Sequence, residues 1–254
     1  MPLSLPLLSA DPSAAFPAPD RALRDPNGLL AMGGDLSPTR LLTAYRNGIF
    51  PWFSEGQPIL WWSPDPRMVL RTERAHLSSR QQRALRRSSW IARADTAFDT
   101  VIATCARIPR HGQAGTWITE HMLEAYRELH RIGHAHSIEV YEDASASTSR
   151  LVGGLYGVAV GRMFFGESMF SARSGGSKVA LAALCRLLSE WGWPLLDAQV
   201  DSAHLRRLGA EAMPRAAFLD AIAPLCAEAA PAELWTERFG DLAASELAGG
   251  TALF

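Results

Sequence analysis

The chain has 254 residues, 48% of them hydrophobic and 20% charged, with 25 Lys and Arg against 26 Asp and Glu. That size and balance suit a soluble protein of one large or two modest domains and argue against disorder as the overall state. No window offers the roughly 18 uninterrupted apolar residues of a membrane-spanning helix. The start, MPLSLPLLSADPSAAFPAPDR, lacks a basic leader and is broken by prolines, so the expected address is the cytoplasm, with no membrane partner. Cys105, Cys185 and Cys226 are too far apart, and odd in number, for a disulfide framework or a CxxC metal or redox site; each reads as a small buried residue.

Residues 1–65 are rich in Pro, Gly and Trp and read as a small N-terminal domain. Its one convincing helix runs from Ser37 to Asn47: Ser37 stands at the cap, Pro38 at the first helical position and Gly48 just past the end. Leu41, Leu42 and Tyr45 fall at helical spacing. The stretch IFPWFSEGQPILWWSPDP is too broken by proline for long strands, yet Trp52, Trp61 and Trp62 must pack on something.

Residues 66–254 read as alternating α and β. A basic helix is predicted over Ser79–Arg87, and another over Thr119–Arg131 with Met122, Tyr126 and Leu129 on one face and Gly133 as its stop. A strand follows at His136–Tyr141. After the polar turn DASASTSR, LVGGLYGVAV and MFFGESMF read as a hairpin joined at Gly161 and Arg162. Ser177 is expected to cap a helix reaching Trp191, with Leu181, Leu184 and Leu188 inward, and Pro194 ends the loop before the short strand LLDAQV. A last helix pair is expected over Ser202–Glu228, and Trp235 and Phe239 predict that part of the tail docks.

The net charge of -1 conceals a basic island. Between Arg71 and Arg93 stand Arg71, Arg74, Arg80, Arg83, Arg86, Arg87 and Arg93, opposed only by Glu73, a local balance of +6. Arg80, Arg83 and Arg87 share a face of the predicted helix. Such a face is commonly just solvated, but the scarcity of acidic neighbours leaves these guanidinium groups free for phosphates.

Asp197 and Gln199 stand two apart in LLDAQV, so on a strand both side chains leave one face while Ala198 points away. A surface Asp and Gln at a strand end would show the same spacing. An Asp directly after Leu195 and Leu196 in an interior strand is costly to bury unpaired, which favours a functional role. Glu167 interrupts an apolar strand and faces solvent or a pocket, and Gly166 before it leaves room for a backbone or a ligand.

Other motifs weigh less. His134 and His136 form an HxH with no carboxylate or Cys at ligand spacing nearby, so no metal is expected. Gly153, Gly154, Gly157 and Gly161 resemble a dinucleotide loop only in composition, because they lie inside a predicted hairpin. The segment RSGGSK, Arg173 to Lys178, lacks the spacing of a P-loop. Its glycines lead into the Ser177-capped helix, whose N-terminus is a place for an anion or a terminal nucleotide. No Ser or Cys has a convincing His partner for nucleophilic catalysis.

Taken in order, NGLLAMGGDLSPTRLLTAYRNGIFPWF, ILWWSPDPR, GTWIT, GHAHSIEV, LVGGLYGVA, FFGESMFS and LLDAQV form one collinear series over Phe16–Phe218. The series resembles the leucyl/phenylalanyl-tRNA-protein transferases. The resemblance implies transfer of Leu or Phe, less readily Met, from aminoacyl-tRNA to the N-terminal α-amine of proteins beginning with Arg or Lys, which marks them for N-degron-dependent degradation. It implies an α+β fold, in which a small N-terminal domain, 1–65, precedes a GNAT-like mixed α/β domain, 66–254. A monomer without a cofactor is expected.

By the same resemblance Asp197, Gln199 and Glu167 are the catalytic set. The amide contacts the amine, Asp197 supplies negative charge, and Glu167 positions the acceptor's N-terminus and complements its basic first side chain. An α-amine with a pKa of roughly 7.7 to 8.0 must lose a proton before or during attack, and an amide alone is too weak a base to receive it. The apolar pocket is matched by Leu155, Phe164, Gly166, Met169, Leu181 and Leu196. One methylene there is worth about 1 to 3 kcal/mol, and a flexible Met helps admit both Leu and Phe. Trp52 and Trp117 match aromatic positions near the reactive end, with packing between domains as the alternative; Tyr45, Tyr126 and Leu184 complete the substrate-binding set. Leu184 and Leu188 stand where some members carry Phe, and Leu155 where some carry Met, which bears on adenine stacking and donor choice. Arg71, Arg74, Arg80, Arg83, Arg86 and Arg87 are the tRNA-binding set, reading phosphates without regard to sequence.

Three rivals stand beside this reading. A GNAT-type N-acetyltransferase would use acetyl-CoA, but RSGGSK puts Lys178 where the last Gly or Ala of a pyrophosphate loop should be. A non-catalytic RNA-binding protein would leave Asp197, Gln199 and Glu167 idle. A cell-wall peptide-bridge transferase would take a lipid-linked peptide amine, against which the protein-acceptor motifs argue.

Overall fold

The computed structural model describes residues 5–108, 118–142, 149–229 and 234–248. The first part contains β1 (Leu7–Leu8), β2 (Leu29–Gly33), α1 (Pro38–Arg46), β3 (Phe50–Pro51) and β4 (Leu60–Trp62), with a four-stranded sheet in the order β1-β2-β4-β3. Helix α1 starts as its sequence requires: the Ser37 hydroxyl accepts from the Arg40 N–H and Pro38 fills the first turn. Gly48, at φ +66°, turns the chain out of it.

The rest continues with β5 (Arg67–Arg71), α2 (Ser79–Leu85), β6 (Trp90–Ala94), α3 (Phe98–Arg107), α4 (Glu120–Arg131), β7 (Ala135–Glu142), β8 (Arg150–Val160) and β9 (Met163–Ser171). Then come α5 (Gly176–Glu190), β10 (Leu195–Gln199), α6 (Ala203–Arg206), β11 (Glu211–Met213), α7 (Arg215–Ala227), α8 (Trp235–Phe239) and β12 (Leu242–Ala243). An eight-stranded sheet runs β11-β5-β10-β9-β8-β7-β6-β12. Its neighbours are antiparallel except β9 and β10, which α5 connects as a parallel pair.

Both faces of the large sheet are covered. Along β9, Met163 and Phe165 join a core with α1, α3, α4 and the N-terminal sheet, while Phe164 joins a second core with α5 and Trp235. Two buried faces explain why β8 and β9 read as nearly unbroken apolar runs. Each large apolar side chain so buried is worth about 1.5 to 3 kcal/mol.

The structure departs from the sequence reading in several places. Gly175, at φ +94°, precedes α5, so Ser177 lies inside the first turn instead of capping it. The helix pair expected over Ser202–Glu228 is split by β11, and β5, β6 and α3 carry no local signal that set them apart. Cys105 and Cys185 are buried as expected, whereas Cys226 is only partly so. The tail does dock: Trp235 is buried, stacks on His136 and meets Trp191 and Trp193 edge-on. No described helix is long and apolar enough to cross a membrane.

Candidate active site

Strands β9 and β10 pair at Leu196 with Phe164 and at Asp197 with Phe165, and then part. A cleft of about 730 Å³ opens between their carboxyl-terminal halves, the part of an open α/β sheet that commonly holds ligands. Leu155, Phe164, Met169, Leu181, Leu184 and Leu196 line it. Trp52 and Gly166 line it as well. A Cβ on Gly166 would lie 3.2 Å from the Asp197 carbonyl oxygen, so this glycine admits the neighbouring backbone as well as the cleft. Trp117 lies outside the described residues.

Two strand irregularities shape the polar floor. The β8–β9 register passes from Tyr156 with Ser168 to Gly157 with Gly166, which leaves Glu167 as the extra residue. The β10–β5 register passes from Asp197 with Val69 to Gln199 with Met68, which leaves Ala198 extra, and Gln199 adopts φ +60°. Such bulges bend a strand and re-aim its side chains. Gly157 permits the first one, since a Cβ there would sit 2.2 Å from the Phe165 carbonyl oxygen.

The second bulge sends the two polar side chains of β10 to different neighbouring strands. The Asp197 side chain turns to β5, where Oδ1 and Oδ2 accept from Arg67 Nε at 2.7 Å and Nη2 at 2.6 Å. Both side chains of this ion pair are fully buried. Arg67 also donates to the Gly48 carbonyl at 2.9 Å and lies between the rings of Phe50 and Phe218, at 4.7 and 4.8 Å. Asp197 Oδ1 accepts the Gln199 N–H at 2.9 Å, a bond within the bulge. Asp197 is thus committed to Arg67 and to holding Gln199.

Gln199 turns the other way. Its Nε2 donates to Glu167 Oε1 at 2.7 Å, across the gap between β10 and β9. Tyr45 donates to Oε1 at 2.8 Å and Tyr126 to Oε2 at 2.9 Å. The two tyrosine hydroxyls also meet each other. Burial pushes the Glu167 carboxyl up to about 7, with the Asp197 charge adding to the rise and the three donors opposing it. Burial, and next the Glu167 charge, push both tyrosines well above the usual phenol range, so they keep their protons. Tyr45 and Tyr126, expected to bind substrate, are fully buried and sit behind Glu167, which itself lines the cleft.

Sequence reasoning missed Arg67, whose partner is 130 residues away, and His204, which lines the cleft. Burial, and then the charges of Lys178 and Arg207, lower the His204 pKa. It also misjudged the arginines. Arg71 pairs with Glu211 at 2.8 Å, Arg74 lies 3.8 Å from Glu73 and 4.0 Å from Glu211, and Arg93 is held by Asp241. The sheet supplies acids that the segment itself lacks. Arg80, Arg83, Arg86 and Arg87 remain exposed on or just beyond α2, whose cap is Ser78.

The fold brings His136 a carboxylate from 41 positions upstream, Asp95 Oδ2 at 2.7 Å. One other expectation is corrected. The start of α5 does not present free amides: the N–H groups of Gly176, Ser177 and Lys178 donate to Arg173 O, Ser171 Oγ and Gly175 O. An anion there would have to displace the chain's own contacts, which counts against a pyrophosphate subsite as well.

Comparison with known proteins bears on this site. The family described as leucyl/phenylalanyl-tRNA protein transferase matches residues 69–223, and its N-terminal domain matches residues 34–65. The leucyl/phenylalanyl-tRNA-protein transferase of Xanthomonas campestris pv. campestris (strain B100) is 62% identical over 243 residues, 96% of each chain. That of Xylella fastidiosa (strain 9a5c) is 56% identical over 241 residues, 95% of this chain and 97% of the other. Among solved structures, FemX aligns with a TM-score of 0.45 at 10% identity, covering 70% of this chain and 66% of that one, too distant a likeness to bear on fold or function. The chain therefore belongs to the leucyl/phenylalanyl-tRNA-protein transferases, and is by that membership an aminoacyltransferase.

Proposed function

We propose that this chain acts in the cytoplasm to transfer Leu or Phe, less readily Met, from aminoacyl-tRNA to the N-terminal α-amine of proteins beginning with Arg or Lys. The product's bulky N-terminus then marks it for N-degron-dependent degradation. The observation that carries the reading to this cleft is the meeting of an apolar wall with two buried polar side chains, Glu167 and Gln199, held 2.7 Å apart.

Each part has a task in that reaction. Leu155, Phe164, Met169 and Leu181 receive the donor's apolar side chain by shape, with Trp52 beside the reactive end. The Glu167 carboxylate, an acceptor only, fixes the NH2 end of Gln199 toward itself, which leaves the amide oxygen to receive the acceptor's ammonium. Glu167, in low dielectric, attracts the same cation. Asp197 serves by holding Arg67 and the Gln199 bulge. The exposed Arg80, Arg83, Arg86 and Arg87 meet tRNA phosphates. No cofactor is called for, because the aminoacyl ester is already activated. With this reading goes a division into a small N-terminal domain, 1–65, and a GNAT-like domain, 66–254; the separate hydrogen bonding of the two sheets supports it.

The test is transfer of radiolabelled Leu and Phe from charged tRNA to two versions of one protein, beginning with Arg or with Ser. Label on the Arg version alone is expected. A folded enzyme that labels neither, or that acetylates the amine from acetyl-CoA, would contradict the reading.

A further inference from the structure

Transfer to an ammonium releases a proton, and both oxygens of Asp197 are already engaged by a permanent cation, Arg67. We propose that Glu167, Tyr45 and Tyr126 form a hydrogen-bonded ring that takes up this proton, with Glu167 as catalytic base and the two tyrosines as positioning residues. The inference rests on the transfer reading above.

Three contacts close the ring: Tyr45 to Glu167 Oε1 at 2.8 Å, Tyr126 to Glu167 Oε2 at 2.9 Å, and hydroxyl to hydroxyl. While Glu167 is ionised, two phenol protons serve two contacts, and the third brings two oxygens together with no hydrogen between them. A proton on Glu167 completes the set: Glu167 donates to Tyr126, Tyr126 to Tyr45, and Tyr45 to the second carboxyl oxygen. The ring is therefore better satisfied with one proton more than its resting carboxylate supplies. Gln199 keeps its bond to Oε1 in both states.

The surroundings point the same way. The groups facing Glu167 are Tyr45 from α1, Tyr126 from α4, and Gln199 and Asp197 from β10; the Asp197 charge is balanced by Arg67 from β5. None of the donors is a cation, and although all three oppose the rise, burial pushes the carboxyl up to about 7. A base of that strength is matched to an amine near neutrality. The other cleft-lining candidate, His204, has burial and two nearby cations against its protonation.

The step balances. The acceptor ammonium gives one proton to Glu167, and its nitrogen forms the C–N bond to the ester carbon. The C–O bond to the ribose breaks, the leaving oxygen takes the nitrogen's second proton, and Glu167 later returns its own to solvent.

Single-turnover transfer at saturating acceptor tests this as a function of pH. The wild-type rate is expected to rise through about pH 7. Tyr45→Phe and Tyr126→Phe, each opening the ring so that protonation no longer completes it, are expected to displace that rise along the pH axis, a displacement that mere packing damage would not cause. Glu167→Gln is expected to lose about 10²-fold or more in rate and to flatten the rise, with aminoacyl-tRNA affinity unchanged. Wild-type transfer with the rise unmoved in both tyrosine variants, or full activity in Glu167→Gln, overturns the ring and leaves the transfer reading standing. No wild-type transfer at any pH overturns both.

Discussion

Two buried carboxylates stand on adjacent strands of this enzyme and are stabilised by opposite means. Asp197 meets a guanidinium in two short hydrogen bonds, whereas Glu167 meets an amide and two phenols, all neutral. An ion pair fixes charge and geometry and has little left to exchange; neutral donors orient a carboxylate without fixing its charge. On the proposal above, the difference separates an acid that holds geometry from one able to move a proton.

The largest expected effect on that contrast is chemical. Glu167→Gln should cost about 10²- to 10⁴-fold in transfer rate while the protein remains folded, as checked by circular dichroism beside the rate assay. Asp197→Ala should fail differently, by leaving Arg67 buried and unpaired, at a cost of about 3 to 5 kcal/mol in chemical denaturation. Replacing both partners, Arg67→Met with Asp197→Leu, should recover much of that stability but not the transfer, because Gln199 loses its tether.

A smaller effect concerns stability against pH. Folded Glu167 titrates at about 7 instead of 4.5, so the native state binds the extra proton in that window and stability falls as pH rises through it. Glu167→Gln removes this dependence. Its stability relative to wild type should improve by roughly 3 kcal/mol between acid and mildly alkaline buffer in urea titrations.

Much of the fold was legible because its signals are local. Ser37 and Pro38 start α1, Thr119 starts α4, and the turn at Gly161 joins β8 to β9, all within a few residues of the elements they control. The residues that the family resemblance named for an apolar pocket do stand along one cleft. The floor was not legible. A bulge is set by pairing between strands, so LLDAQV by itself reads as plain alternation and does not show that Asp197 bonds β5 while Gln199 bonds β9. Arg67, Asp95, Glu211 and Asp241 find partners 41 to 148 positions away, a distance at which charge counting along the chain says nothing. Tyr45 and Tyr126 were recognisable as inward helix positions, yet the carboxylate that their hydroxyls bond, Glu167, stands on β9.

Smaller still are effects on recognition. Met169→Ala should enlarge the pocket and shift donor choice toward Phe over Leu by about 1 to 2 kcal/mol in competition assays. Changing Arg80, Arg83 and Arg87 to Ala should weaken tRNA binding and flatten its salt dependence by roughly one unit of slope for each phosphate no longer neutralised.

Burial pushes the Glu167 carboxyl up to about 7 against three neutral donors, and on this the proposed proton transfer depends. Carbon-13 NMR of the glutamate carboxyls across about pH 4 to 9, with Glu167→Gln identifying the signal, reads this directly in the free enzyme. A midpoint near 7 is the result this account predicts. A midpoint at the ordinary value of 4.5 would contradict it, and Glu167 would then be no base for an amine near neutrality.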